Sequence, residues 1–301
     1  MGTVTNFPFF RERRNSSTLP ICLLLAAGHA LAQPAPVAAD ARAIILRSAE
    51  RDQNDLEARR NYTFLTYTEQ RNLDAAGNVK KLESRTHEVL ILYGRPYRRL
   101  IAKDGKPLPP DEDRREREKM DKEISRRAKE SAKEKEKRTQ EESRNLRQQR
   151  EILREVADAF EFRVVGEEEV DGFATWVIQA EPLPGYRPRS KDTKILPNFR
   201  GKLWITKDGY RWVKVDAEVV RRISIGLVLA RLNPGTTVGF EQRRVHDEIW
   251  MPSQVHVRAV GRVALLKKFD AEVLVTYSDY RKFQSDSRIT ETMEVSPAAP
   301  R

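Results

Sequence analysis

A run of charged residues, 111–158, constrains the fold of this chain more than any other segment. It contains neither Gly nor Pro, and its 16 Lys and Arg are balanced by 15 Asp and Glu. In its centre, residues 125–145, no apolar side chain is larger than that of alanine. A helix without an apolar stripe cannot bury one face in a core. Because the sequence on both sides is typical of β-strands, the run predicts a solvated helix inserted into a β-rich body.

The start of this charged insertion, 109–158, is marked by two prolines and three acids. Pro109 and Pro110 disfavour helix before them, whereas proline is tolerated in a first helical turn. The acids at 111–113 interact favourably with the positive end of a helix dipole. Pairs with the acid first, such as Glu118 and Lys122, recur four residues apart. Each stabilises an exposed helix by roughly 0.2–0.5 kcal/mol.

Apolar residues occur only towards the two ends of the insertion, with Met120 and Ile124 at one end and Leu146 to Val156 at the other. We therefore expect the ends to dock on the body and the middle to project. One unbroken helix would be roughly 70 Å long at 1.5 Å per residue. A two-helix hairpin that turns near Ser131 or near 143–145 is the alternative.

The first 32 residues have the features of a secretory signal peptide. Three arginines lie within 11–14, an apolar stretch covers 19–31, and Ala30-Leu31-Ala32 is a small-x-small cleavage pattern. The single cysteine, Cys22, lies before the expected cleavage near Ala32. We therefore expect an exported protein, periplasmic or secreted, whose stability comes from core burial and not from disulfides.

The chain is basic, with a formal net charge of +11. Such a balance favours anionic partners, either nucleic acid or an acidic membrane surface. Export makes nucleic acid the weaker choice, so we expect no nucleic-acid partner and at most peripheral contact with a membrane. Solubility through charge is the other interpretation.

The remaining sequence predicts a helix followed by many strands. Residues 40–60 have the apolar spacing of an amphipathic helix. Strand patterns fill 61–104 and 159–285, separated by turn signals such as Asp104-Gly105 and Asp208-Gly209. Short turns between consecutive strands predict an antiparallel meander. The expected organisation along the chain is: signal peptide 1–32, helix and first strands 33–104, charged insertion 109–158, remaining strands of the same β domain 159–285, and polar tail 286–301.

Three segments carry a resemblance to a known family: GFATWVIQA at 172–180, GKLWI at 201–205 and WVKV at 212–215. With the preceding helix and meander, they resemble the periplasmic lipoprotein-carrier superfamily, the outer-membrane lipoprotein-sorting proteins. Within it the chain is most similar to uncharacterised exported bacterial proteins. The resemblance implies an α+β, β-rich fold in which the meander forms an open half-barrel. It further implies a concave side that binds acyl chains under a helical lid.

The four tryptophans are the candidate ligand-binding residues: Trp176, Trp204, Trp212 and Trp250. Filling a core is the ordinary role of a single tryptophan, and lining a concave apolar pocket is the functional alternative. Together with the resemblance they predict an exported protein that holds a hydrophobic or lipid-like ligand, or a lipoprotein acyl chain, without a cofactor. The alternative is an envelope interaction scaffold that contacts a protein partner through residues 111–158.

Patterns for catalysis or metal binding are weak. His246 and His256 flank a predicted turn at Met251-Pro252, but strand alternation places Asp247 on the other face and no third ligand has diagnostic spacing. The sequence contains no nucleophile elbow and no phosphate-binding glycine loop. We therefore expect no metal, no cofactor and no enzymatic activity.

Overall fold

The computed structural model of the chain describes residues 40–191, 193–225, 230–263 and 267–283. The expected signal peptide, its cleavage near Ala32 and the polar tail lie outside these residues. Within them, no helix is both long enough and apolar enough to cross a membrane.

The described residues form three α-helices, one 3-10 helix and thirteen strands. The helices are α1 (Ala41–Arg59), α2 (Pro110–Ala128) and α3 (Ala132–Ala159), and the 3-10 helix is Thr193–Asn198. The strands before α2 are β1 (Tyr62–Leu73), β2 (Val79–Leu92), β3 (Arg95–Lys103) and β4 (Lys106–Pro107). The strands after α3 are β5 (Phe160–Val170), β6 (Phe173–Pro182), β7 (Phe199–Thr206), β8 (Trp212–Val219), β9 (Ile223–Ile225), β10 (Ala230–Leu232), β11 (Thr237–Val245), β12 (Ile249–Val263) and β13 (Lys267–Lys282).

These strands belong to one antiparallel sheet in the order β4-β3-β2-β1-β13-β12-β11-β8-β7-β6-β5, with β10 and β9 attached beside β12. β1 pairs with β13 from Tyr62↔Lys282 to Asn72↔Ala271, so strands from before and after the charged insertion are direct neighbours. The two outermost strands, β4 and β5, are not paired with each other. The sheet is therefore open. This confirms the predicted β-rich α+β class with an N-terminal helix and a helical insertion.

α1 lies on one face of the sheet, which we call the inner face. Ile44 and Ile45 pack against Ala157 of α3, Ile178 of β6 and Ile205 of β7. Successive residues of a strand point to opposite faces. Their neighbours along each strand therefore point away from α1, towards the outer face.

The charged insertion forms two helices separated by residues 129–131. The Ser131 hydroxyl accepts a 3.3 Å hydrogen bond from the Glu134 N–H, and the Glu134 carboxylate accepts one of 2.8 Å from the Ser131 N–H. This capping box satisfies two N–H groups at the start of α3. The chain therefore breaks near Ser131, as in the second of the two predicted alternatives.

The prediction that the middle of the insertion projects freely is wrong. The Arg127 guanidinium, near the end of α2, donates to the carbonyl oxygens of Leu92 and Arg95 at 2.8 and 2.9 Å, and its side chain is only 8% exposed. Polar docking of a long side chain onto backbone carbonyls leaves no apolar pattern in the sequence. The insertion therefore contacts the sheet in its middle as well as at its ends.

Two predicted boundaries also differ from the structure. The turn expected at Met251-Pro252 lies instead at 246–248, where His246 and Asp247 have positive φ angles of 50° and 54°. Pro252 is inside β12, next to a register shift between β11 and β12 that accommodates it. His246 and His256 therefore do not oppose each other across a hairpin. Within the predicted strand region 159–285, Ile223–Ile225 and Ala230–Leu232 form two short strands, β9 and β10, paired antiparallel.

Candidate ligand-binding cavity

A cavity of about 550 Å³ lies on the inner face, between the end of α1 and the break in the charged insertion. Protein sites for small ligands commonly have this size and a mainly apolar lining. The sheet contributes Tyr62, Phe64, Val89, Ile91, Met251, Pro252 and Tyr280, together with Arg95 and Pro96 at the start of β3, and the turn between β2 and β3 contributes Gly94. The helices and the segment after α1 contribute Arg59, Arg60, Arg127 and Glu142. The site is therefore an apolar floor bordered by arginines.

Strand alternation and register build the apolar floor. Tyr62 and Phe64 share one face of β1, and Phe64 lies opposite Val89 of β2. Phe64 packs against two aromatic residues of β13, with its ring centroid 5.2 Å from that of Tyr280 and 6.0 Å from that of Tyr277. Aromatic and aliphatic side chains of neighbouring strands thus form one continuous surface.

Tyr280 is held neutral at the base of this floor. Burial raises the pKa of Tyr280, and Tyr277 beside it raises it further. Its hydroxyl donates a 2.6 Å hydrogen bond to the carbonyl oxygen of Pro252. The hydroxyl is therefore satisfied, and the ring presents an apolar surface to the cavity.

The guanidinium of Arg59, at the end of α1, is occupied by hydrogen bonds within the fold. Its guanidinium donates to the Trp250 carbonyl at 2.9 Å, to Asp52 at 2.6 Å and to Gln242 at 3.1 Å. A buried charge with several partners is stabilising, whereas one left without them is costly. We assign Arg59 a structural role in fixing the end of α1 against β11 and β12.

The next residue, Arg60, is half-exposed and lies 3.7 Å from Glu142 of α3. This exposed pair connects the segment after α1 to the charged insertion beside the cavity. Exposed pairs of this kind contribute little, about 0–1 kcal/mol. The contact shows where α3 borders the cavity, and it contributes little to stability.

The charge of Arg95 is poorly compensated. Its Nη1 lies 3.7 Å from a Glu130 oxygen, which Arg138 also approaches at 3.0 Å. Nε and Nη2 of Arg95 are buried and have no hydrogen-bond partner within the described part of the chain. Buried donors normally find a partner. Arg95 is therefore a candidate for direct contact with a ligand.

The start of α2 lies on the outer face, opposite the cavity. Arg99 of β3 pairs with Glu88 of β2 and approaches Asp113 of α2 at 3.5 Å. Val89, next to Glu88, points the other way and lines the cavity. The charged insertion thus passes from the outer face to the inner face around the turn that joins β2 and β3.

The turn between β2 and β3 has a backbone conformation that suits this crossing of the insertion from one face to the other. Tyr93 and Gly94 have positive φ angles of 49° and 71°, the combination used by tight two-residue hairpin turns. The turn exposes the carbonyl oxygens that accept the hydrogen bonds of Arg127. Its backbone conformation and the docking of α2 are therefore directly coupled.

The four candidate tryptophans are distributed over both faces. Trp176 and Trp212 pack around the inner-face cluster beside α1. Trp204 and Trp250 belong to an outer-face cluster with Val177. None of the four is among the residues that line the cavity. Their role in ligand binding stays a prediction.

The histidines are placed apart. The His246 ring stacks 6.2 Å from Tyr62, whereas His256 lies opposite Gly239 on β11. Within the described ranges, no three His, Cys, Asp or Glu side chains form a group that could hold a metal ion.

Sequence reasoning did not identify the cavity residues as a site. Tyr62 and Phe64 were identifiable as strand residues, but the neighbours that complete the floor come from β2, β12 and β13. The Ser131-x-x-Glu134 pattern was a usable signal for the break in the insertion. No sequence pattern indicated the docking of Arg127, because it resembles the other arginines of the charged insertion.

Comparison with known proteins gives structural neighbours only. No protein-family model and no curated protein sequence matches the chain. Similar solved structures include a DUF1329 family protein from Desulfovibrio piger, with 12% identity, a TM-score of 0.30 and coverage of 82% of this chain and 95% of that one. An outer membrane lipoprotein-sorting protein domain from Vibrio parahaemolyticus has 12% identity, a TM-score of 0.29 and coverage of 81% and 95%.

A LolA superfamily protein from Nitrosomonas europaea has 10% identity, a TM-score of 0.27 and coverage of 81% of this chain and 94% of that one. Two of these structures carry the lipoprotein-sorting or LolA superfamily description that the sequence resembles. The function proposed below rests on this chain's own residues.

Proposed function

We propose that this is an exported, non-enzymatic binding protein that holds a hydrophobic or lipid-like ligand in the inner-face cavity. The observation that carries the proposal is the continuous apolar floor of that cavity. Burying each CH₂ group of an acyl chain on such a surface contributes about 0.8 kcal/mol. Binding of this kind requires neither a metal nor a cofactor.

In this proposal the charged insertion is a wall of the cavity. Two of its residues, Arg127 and Glu142, line the cavity, and Arg127 docks on the turn between β2 and β3. Contact with the sheet favours this role over that of a freely projecting arm for an envelope protein. A partner that requires the insertion alone would be evidence for the interaction-scaffold alternative.

The test is displacement of a fluorescent fatty acid, 11-(dansylamino)undecanoate, from the delipidated full-length protein. The variant Ile91→Phe adds volume to the cavity floor, and we expect it to weaken binding about tenfold or more, or 1.4 kcal/mol. Leu82→Phe is the matched control, because Leu82 lies on the same strand but is 56% exposed. Equal probe affinity in wild type and Ile91→Phe, with both folded, would place the ligand elsewhere. No binding in any variant would refute the function.

A further inference from the structure

A second, polar cleft adjoins the apolar cavity. It has a volume of about 540 Å³ and lies where α2 ends and α3 begins. Its lining comprises Arg95, Arg126, Lys129, Glu130, Glu134, Lys137, Arg138 and Glu141. Arg95 lines both the cleft and the apolar cavity. The two spaces therefore meet at this side chain.

The cleft has an excess of positive charge, with five basic and three acidic side chains. Two of the basic groups are occupied, because Arg126 pairs with Glu123 and Arg138 pairs with Glu130 and Glu142. Lys129 and Lys137 make no ion pair within the described residues. With these pairs set aside, the cleft holds three basic groups, Lys129, Lys137 and Arg95, against two carboxylates, Glu134 and Glu141.

Arg95 provides the specific contact point. Its Nε and Nη2 are buried without a hydrogen-bond partner, while Nη1 has only a shared carboxylate at 3.7 Å. A guanidinium presents donors in a fork that matches carboxylate and phosphate oxygens. An anionic group beside Arg95 would compensate its charge and offer acceptors to its guanidinium.

We infer that the ligand is an amphiphile whose anionic head, a carboxylate or a phosphate, lies against Arg95 in the polar cleft while its apolar chain occupies the cavity. This inference rests on the proposed function and specifies its ligand class. Chain burial supplies affinity that any head group would share. Arg95 supplies the discrimination between anionic and neutral heads.

The experiment compares four twelve-carbon competitors in the same displacement assay: dodecanoate, dodecyl phosphate, dodecanol and dodecyltrimethylammonium. We expect the two anions to bind about tenfold tighter than dodecanol, because a charge-assisted contact is added. The cation should bind more weakly than dodecanol. Raising the salt from about 0.05 M to about 0.5 M should reduce the preference for anions.

The variants assign this preference to one side chain. Arg95→Met should bring the preference for anions below about threefold while dodecanol binds as in wild type. Arg95→Lys should keep part of the preference, which separates loss of charge from loss of fold. Arg163→Met is the control, because Arg163 is exposed on β5 and its ion pair within the described residues is with Glu161 on the same strand.

Three results would overturn the inference. Dodecanol binding as tightly as dodecanoate would show that the site ignores the head group. A preference for anions that survives in Arg95→Met would place recognition elsewhere. Displacement of the probe by inorganic phosphate as effectively as by dodecyl phosphate would indicate a site for free anions. Failure of all four competitors to bind would instead refute the proposed function.

Discussion

Arg127 donates a 2.8 Å hydrogen bond from Nη1 to the carbonyl oxygen of Leu92, 35 residues earlier in the chain. The bond fastens the end of α2 to the turn between β2 and β3, beside the cavity. The same nitrogen also donates to the carbonyl oxygen of Arg95, so Arg95 lies directly beside this hydrogen bond. Arg127 thus connects the end of α2 to the backbone of the candidate ligand contact.

Arg127→Met should loosen α2 while the sheet stays folded. Hydrogen bonds that involve a charged group are worth about 1.5–3 kcal/mol, so we expect a loss of about 2 kcal/mol in the free energy of unfolding or in local opening. Hydrogen exchange should increase in α2 and in the turn. Arg126→Met is the matched control, since Arg126 is 65% exposed and its ion pair, with Glu123, lies within α2. Equal exchange in both variants would show that the docking contributes nothing.

Ser131→Ala should weaken the start of α3. Loss of an N-cap hydroxyl costs about 0.5–2 kcal/mol. Ser143→Ala, inside the same helix, should be neutral or slightly stabilising because alanine has the higher helix propensity. Chemical denaturation of the two variants measures the difference. If Ser131→Ala were as stable as Ser143→Ala, the capping box would not determine the break between α2 and α3.

Glu155 anchors the other end of α3. It is 4% exposed, and it accepts hydrogen bonds from the Tyr186 hydroxyl and, at 2.7 Å, from the Arg189 N–H. Glu155→Gln removes the negative charge that strengthens these hydrogen bonds and replaces one oxygen by a donor NH₂ group, and we expect a loss of about 1–3 kcal/mol in the free energy of unfolding. Glu151→Gln, one turn earlier and exposed, should change it little. Similar midpoints for the two variants in urea would contradict the assigned role.

Glu123 should keep its contacts down to strongly acidic pH. Hydrogen bonds from Arg126 outweigh the effect of burial and, with those from Arg127, lower the pKa of Glu123 to about 2. A carboxylate whose pKa is lowered by folding stabilises the protein above its unfolded pKa, and this contribution is lost as the pH falls through the folded value. The difference in melting temperature between wild type and Glu123→Gln should therefore shrink between about pH 4.5 and about pH 2. A difference that does not vary over this range would contradict the lowered pKa.

Local patterns predicted the elements of this fold but not their contacts. The balanced charge of 111–158 predicted helix, and the alternation around Val213 and Val215 predicted strand, because both depend on neighbouring residues. The cavity combines Tyr62, Met251 and Tyr280, which are distant in sequence and meet only when β1 pairs with β13.

The incorrect or missed predictions for single residues also arise from long-range contacts. Pro252 reads locally as part of a turn, yet a register shift opposite Gln242 accommodates it within a strand. Arg95 resembles any surface arginine until the fold buries two of its donors. Such features depend on long-range contacts that a residue pattern does not contain.

Photo-crosslinking with dodecanoate that carries a diazirine near the end of its chain tests directly whether the chain binds in the inner-face cavity. Peptide mass spectrometry of the labelled full-length protein would identify the residues that contact the chain. We predict label on the floor of the cavity, at Tyr62, Val89 or Met251, and its loss when unlabelled dodecanoate competes. Label concentrated at Trp204 on the outer face, or labelling that competition does not reduce, would contradict binding in the inner-face cavity.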